Sequence, residues 1–169
     1  MNEENNYKKI LNQIRCFVFD VDGVMTDGSL LIQPDGTMYR TMNIKDGYAM
    51  QLAIKKGYQI FVISGSTPEG VKKRLERLGL TEIHIGIENK LEKLKELLAK
   101  YKIDFSNLLY MGDDMPDLEV LKKCALRTCP SDAVYQIRNE CQYISEYAGG
   151  KGCVRDIIEQ VMQLNGHWE

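Results

Sequence analysis

Long hydrophobic runs, an excess of basic residues and paired cysteines are all missing from this sequence, and each absence removes a class of protein. No apolar stretch is long enough to span a bilayer, and the opening Met1-Asn2-Glu3-Glu4-Asn5-Asn6 has neither the basic nor the apolar region of a signal peptide. The expectation is a cytoplasmic protein with no membrane contact. The formal net charge is −2 with the two signs interleaved, which leaves no electrostatic footprint for nucleic acid. Cys16, Cys124, Cys129, Cys141 and Cys153 are odd in number and form no C-x-x-C pair. They read as small core residues in a reducing compartment, not as zinc ligands or bridges. Internal repeats and low-complexity segments are absent too. What remains is a globular composition, 44% hydrophobic and 27% charged, in a chain of 169 residues. That length suits one domain spanning 1–169, able to bury roughly two-thirds of its unfolded surface without disulfides.

The stretch that organises the chain runs from Cys16 to Gly28. Cys16-Phe17-Val18-Phe19 is an apolar run of the kind buried on both faces of a sheet, and it breaks into Asp20-Val21-Asp22-Gly23. In an open α/β sheet ligands bind just beyond the carboxyl ends of the strands, which is where Asp20 and Asp22 fall. Two carboxylates two residues apart can share one side of an extended segment, and their repulsion is relieved by a cation. Oxygen ligands of this kind suit Mg²⁺.

After Gly28 the pattern predicts a hairpin, with β-like runs at 29–33 and 37–42 joined by Pro34-Asp35-Gly36. Leu30-Leu31-Ile32 makes it apolar on both faces, and another copy of the chain is the economical cover for such edges, so a homo-oligomer is expected. Strands and helices then alternate. Helices are predicted over 7–14, 46–56, 68–78, a long one through Leu91, Leu94, Leu97 and Leu98, 117–123, 133–139 and 154–164. Strands are predicted over 58–64, 82–86, 108–111, 126–129 and 142–145. This alternation predicts a three-layer, Rossmann-like parallel α/β sheet with a projecting β-hairpin, helices covering both faces.

Three further strand ends carry chemistry. Tyr58 to Ile63 runs into Ser64-Gly65-Ser66, a hydroxyl and exposed N–H groups ahead of a helix, which together can cradle a phosphate. Lys90 opens the long helix. Leu108 to Met111 runs into Gly112-Asp113-Asp114-Met115-Pro116-Asp117, a second acidic cluster. The topology brings acids, a hydroxyl and a cation to one sheet edge.

These residues resemble the haloacid-dehalogenase-like phosphohydrolases over nearly the whole chain. Asp20-Val21-Asp22-Gly23-Val24 looks like the first motif, Ser64 the second, Lys90 the third and Gly112-Asp113-Asp114 the fourth. The resemblance implies that Asp20 is a nucleophile forming an aspartyl-phosphate and that Asp22 protonates the leaving alkoxide and then activates water. It also implies that Asp20 and Asp113 bind Mg²⁺ through side chains and Asp22 through its carbonyl, with Asp114 and Asp117 orienting the metal's surroundings. Ser64, Gly65 and Lys90 would hold the phosphate, Lys90 cancelling the repulsion between carboxylate and phosphate dianion. The gaps after the first and second motifs leave no room for the cap domain usual in such families.

With Asp46-Gly47 opening a helix and Gly149-Gly150-Lys151-Gly152-Cys153-Val154-Arg155 near the end, the chain is similar to the subgroup acting on sugar-acid phosphates, the octulosonate 8-phosphate phosphatases. That likeness implies a small-molecule sugar-acid phosphate in lipopolysaccharide biosynthesis, a homotetramer built through the hairpin, and Asn43, Lys45, Asp46 and Ser66 as substrate contacts, Lys45 facing a carboxylate. Ser66 departs from both usual patterns, since octulosonate enzymes often carry arginine there and nonulosonate enzymes glutamate. A nonulosonate 9-phosphate or a macromolecular phosphoester therefore stays open as substrate, and a phosphoaspartate receiver domain is the remote non-enzymatic alternative. Asp27 reads as a loop cap, His84 as a satisfied strand histidine, and Arg74 and Arg77 as solvated helix residues. His167 and Trp168 are expected to be disordered, or, with Trp168 as anchor, docked on a neighbouring copy.

Overall fold

The computed structural model describes residues 7–168. In chain order the strands are β1 Cys16–Phe19, β2 Leu31–Ile32, β3 Met38–Tyr39, β4 Gln59–Ile63, β5 Glu82–His84, β6 Leu108–Met111, β7 Leu126–Cys129 and β8 Tyr143–Ile144. Six of them form one parallel sheet in the order β5-β4-β1-β6-β7-β8, and β2 and β3 pair apart as the antiparallel hairpin. The helices are α1 Tyr7–Leu11, α2 Ile44–Lys55, α3 Glu69–Arg77, α4 Lys90–Tyr101, α5 Leu118–Leu121, α6 Tyr135–Glu140 and α7 Cys153–Leu164.

The strand period of two divides the core. Phe17, Phe19, Ile60, Val62, Leu109 and Met111 pack with α1, α2, α3 and α7 on one face. Cys16, Val18, Phe61, Ile63, Leu108 and Tyr110 pack with α4, α5 and α6 on the other. Both faces being covered, the central strands are apolar throughout, as their sequences require. Leu91, Leu94, Leu97 and Leu98 form the buried stripe of α4, whose N-terminus is capped by Asn89 Oδ1 accepting from Glu92 N at 3.0 Å. Between β4 and Lys90 lie one helix and one strand, and between β1 and α2 the hairpin. Neither gap holds a cap domain.

Several boundaries differ from the sequence expectations. Helix α1 stops at Leu11 instead of Ile14, because the next residues turn to bury Ile14 and enter β1. The segment expected as a helix from Asp117 starts as a 3₁₀ turn, Met115–Asp117, and is α-helical only over α5, with Pro116 inside the turn. The hairpin ladder is two residues per strand. Leu31, Ile32, Met38 and Tyr39 are all more than half exposed, so no second layer extends the pairing. His167 and Trp168 pack on their own chain and overturn the expectation of a disordered tail. His167 Nδ1 lies 3.0 Å from the Tyr58 hydroxyl, and the Trp168 ring meets Tyr48 edge-on with the Arg155 guanidinium 5.1 Å from its centre. All five cysteines are free, and no helix among the described residues is long and apolar enough to cross a membrane.

Candidate active site

Because β4, β1 and β6 are parallel neighbours, their carboxyl ends deliver Ser64, Asp20 and Asp113 to one edge. Asp20 N donates to Met111 O at 3.1 Å, fixing the first residue beyond β1 against the end of β6. Lys90, first residue of α4 and buried, places Nζ 2.9 Å from Asp20 Oδ1 and 2.7 Å from Asp117 Oδ1. Tyr110, wholly buried on β6, donates its hydroxyl to the same Asp117 oxygen at 2.6 Å. The other Asp117 oxygen accepts from Asp113 N at 3.1 Å. Gly23, at φ +88°, belongs to this packing, since a Cβ there would lie 2.0 Å from Asp113 Oδ2.

One carboxylate oxygen from each of Asp20, Asp113 and Asp117 lies within 4.8 Å of the others, and Lys90 is the ammonium among them. Burial and the Asp117 charge raise the Asp20 carboxyl to about 6 against the pull of Lys90. Burial, then the Asp20 and Asp117 charges, push Asp113 to about 8. Lys90 goes the other way. Burial lowers its pKa, but the Asp117 and Asp20 charges outweigh this and hold it above the ordinary lysine value.

Asp22 has different company. Arg40, just beyond the hairpin, reaches back to grip it with both arms, Nε to Oδ1 at 2.6 Å and Nη2 to Oδ2 at 3.1 Å. Ser66 Oγ donates to Oδ2 at 2.7 Å and sits 3.1 Å from Ser64 Oγ. Burial raises the Asp22 pKa, but these bonds prevail and bring it below the usual carboxylate value. Beside this cluster opens a cavity of about 800 Å³ between the hairpin and the start of α3, with Arg40, Ser66, Glu69 and Arg74 in its lining.

Residues 82–157 match the haloacid dehalogenase-like hydrolase family. The chain is 32% identical over 153 residues to 3-deoxy-D-manno-octulosonate 8-phosphate phosphatase KdsC of Escherichia coli strain K12, covering 90% of this chain and 81% of that one. The chain belongs to this family of haloacid dehalogenase-like hydrolases. Two solved relatives share its fold. One is the Yersinia pestis 3-deoxy-D-manno-octulosonate 8-phosphate phosphatase, with TM-score 0.94, 27% identity, and 97% and 89% of the two chains covered. The other is the Moraxella catarrhalis phosphatase in complex with magnesium ion, phosphate ion and KDO, with TM-score 0.93, 29% identity, and 97% and 94% covered.

The cluster of this haloacid dehalogenase-like hydrolase fits the Mg²⁺ that the family uses. Three converging carboxylates face one ammonium, buried Asp113 Oδ1 has no hydrogen-bond partner, and every donor is a hard oxygen. Asp114, by contrast, is exposed and spent on the 3₁₀ turn, its Oδ1 accepting from Met115 N at 2.7 Å. Gly65 follows buried Ser64 on an exposed turn.

The expected sugar contacts fare unevenly. Ser66 lines the cavity. Asn43 caps α2, accepting from Lys45 N at 2.8 Å, and Lys45 is exposed outside the cavity lining. Asp46 has a structural partner of its own. It is buried at 2% exposure and accepts from Arg155 N at 2.8 Å, doing for the first turn of α7 what Gly152 at its N-cap cannot. Arg77 is exposed as expected, and Arg74 is exposed but also lines the cavity. His84 is satisfied by Glu82, Nε2 to Oε2 at 2.8 Å, and Asp27 caps its loop by accepting from Ser29 N at 3.0 Å. The sequence reading missed Arg40 and Tyr110. Tyr110 leaves a trace, a lone hydroxyl in an apolar strand that must find a buried partner. Arg40 leaves none, because only the fold-back of the hairpin brings it to Asp22.

Proposed function

We propose that the chain is a Mg²⁺-dependent phosphomonoester hydrolase that converts 3-deoxy-D-manno-octulosonate 8-phosphate to the free sugar acid and phosphate, a step of lipopolysaccharide biosynthesis. The observation that carries this reading is Asp20 at the end of β1, bonded to Lys90 and converging with Asp113 and Asp117, while Arg40 and Ser66, which hold Asp22, line a cavity of about 800 Å³. Asp20 attacks phosphorus, the ester oxygen leaves, and an aspartyl-phosphate forms. Lys90 holds Asp20 toward the phosphate and offsets the repulsion between two anions, while Asp117, itself fixed by the Tyr110 hydroxyl, holds Lys90. Asp22, once it has taken up a proton from solvent, faces the ester oxygen, gives it that proton, and then takes one from the water that hydrolyses the aspartyl-phosphate. Ser64 and the N–H groups of the Gly65 turn bind phosphate oxygens. The Asp20 and Asp113 side chains and the Asp22 carbonyl would hold Mg²⁺, which would supply positive charge against the phosphoryl group.

The chain acts as one unit over 1–169, with residues 29–42 as a flap. The exposed Leu30, Leu31, Ile32, Met38 and Tyr39 of that flap support a cytoplasmic homotetramer assembled through the hairpins. Phosphate release with Mg²⁺ across a panel of sugar phosphates tests the substrate. A preference of about a hundredfold in kcat/KM for octulosonate 8-phosphate is expected. Equal or better turnover of a nonulosonate 9-phosphate would move the substrate to the longer sugar acid.

A further inference from the structure

In the resting chain Arg40 occupies the carboxylate that the proposed reaction needs. Its side chain is 9% exposed against 32% for Asp22, so the ion pair is partly withdrawn from water. The fork engages both Asp22 oxygens, and Ser66 adds a third bond at Oδ2. A carboxyl group held in this way cannot also meet the oxygen of a leaving alkoxide, so the fork has to disengage before the ester is cleaved.

What draws it off must be another anion, because a guanidinium removed from a carboxylate without replacement loses both charge-assisted bonds. The cavity that Arg40 lines also carries Arg74, and its one carboxylate, Glu69, makes no ion pair with either arginine among the described residues. The space is thus furnished for an anion that the chain does not itself provide. We propose that Arg40 is a specificity latch, bound to Asp22 at rest and transferred to the carboxylate of the incoming sugar acid, so that only an acidic sugar phosphate frees Asp22 for the leaving oxygen. This rests on the sugar-acid phosphatase reading above. A neutral sugar phosphate has to break the same ion pair with nothing to replace it, which places the discrimination in the rate as well as in binding.

The test compares wild type and Arg40→Gln, both with Mg²⁺, on octulosonate 8-phosphate and on arabinose 5-phosphate, a neutral sugar with the same kind of primary ester. The acid-to-neutral ratio of kcat/KM is expected to fall by about tenfold or more in the variant, with kcat for the neutral ester rising as its obstacle is removed. A ratio that stays within about threefold, whether both rates fall together or neither moves, overturns the latch. Titration of the free sugar acid onto Asp20→Asn, with and without Arg40→Gln, asks the same question without turnover. Weakening of about tenfold is expected, and equal affinity overturns the proposal. If wild type shows no preference for octulosonate 8-phosphate, the substrate assignment fails separately, and the same ratio is read on a nonulosonate 9-phosphate.

Discussion

Binding of Mg²⁺ should be strongly coupled to pH, because Asp113, one of the carboxylates that would hold the ion, is mostly protonated at neutral pH in its absence. Asp113 sits at about 8 and Asp20 at about 6, each raised first by burial and then by neighbouring carboxylates. A carboxyl with a pKa of about 8 is protonated in roughly nine molecules of ten at pH 7, and the proton has to leave before the oxygen can serve a metal. Between pH 8 and 6 about one proton should be released per ion bound, so affinity should weaken about tenfold for each unit of acidification. Below pH 6 Asp20 joins and the dependence steepens. Calorimetric titration in buffers of different ionisation enthalpy counts these protons directly. In Asp113→Asn the dependence between pH 6 and 8 should largely vanish along with most of the affinity. Wild-type affinity that is flat from pH 6 to 8 would refute the reasoning, since it would mean that the cluster is already ionised without metal.

The same shifts fix the sign of stability. Asp20, Asp113 and Asp46 all have folded pKa values above the ordinary carboxylate range, so their ionised forms penalise the fold. Metal-free protein should therefore gain about 3 kcal/mol between pH 8 and 6 in urea unfolding, most of it from Asp113, a gain that saturating Mg²⁺ removes or reverses. Lys90→Met leaves Asp20 and Asp117 facing each other in a buried site, with a cost of about 3–5 kcal/mol at pH 8 that shrinks by pH 5 as the Asp20 carboxyl takes up a proton. A cost independent of pH would mean that Lys90 contributes packing alone. Gly149→Ala would put a Cβ 2.0 Å from Gly23 O, pushing the loop before α7 off the loop that carries Asp22, with about 1–3 kcal/mol lost and a fall in kcat. An alanine variant with wild-type rate and stability would remove that contact from the account. Leu31→Asp with Ile32→Asp should yield species smaller than a tetramer in light scattering, and an unchanged assembly mass would rule out hairpin-mediated association.

What was legible in the sequence follows from how locally each feature is specified. The buried strands β1 and β6 announce themselves as continuous apolar runs, and the residues just beyond them, Asp20 and Asp113, inherit their place from the parallel topology. Lys90 and Ser64 are found for the same reason, as residues where an apolar pattern starts or stops. Partners set by distant segments were not legible. Asp46 looks like a free acid opening α2, yet the N–H it accepts from belongs to Arg155, 109 positions away. Arg40 looks like a charge ending a hairpin, and its bond to Asp22 depends on the flap's angle, which no local pattern encodes. Trp168 reads as part of a loose terminus because the surface that receives it, Tyr48 and Arg155, comes from two helices.

The central claim is that Asp20 carries the phosphoryl group, and the most direct measurement is acid-quenched turnover of octulosonate 8-phosphate followed by peptide mass spectrometry. Phosphate on Asp20 in the wild-type protein, none in Asp20→Asn, and loss of phosphate release in that variant are the predicted results. Undiminished release by Asp20→Asn, with no phosphorylated aspartate in either protein, would contradict the mechanism.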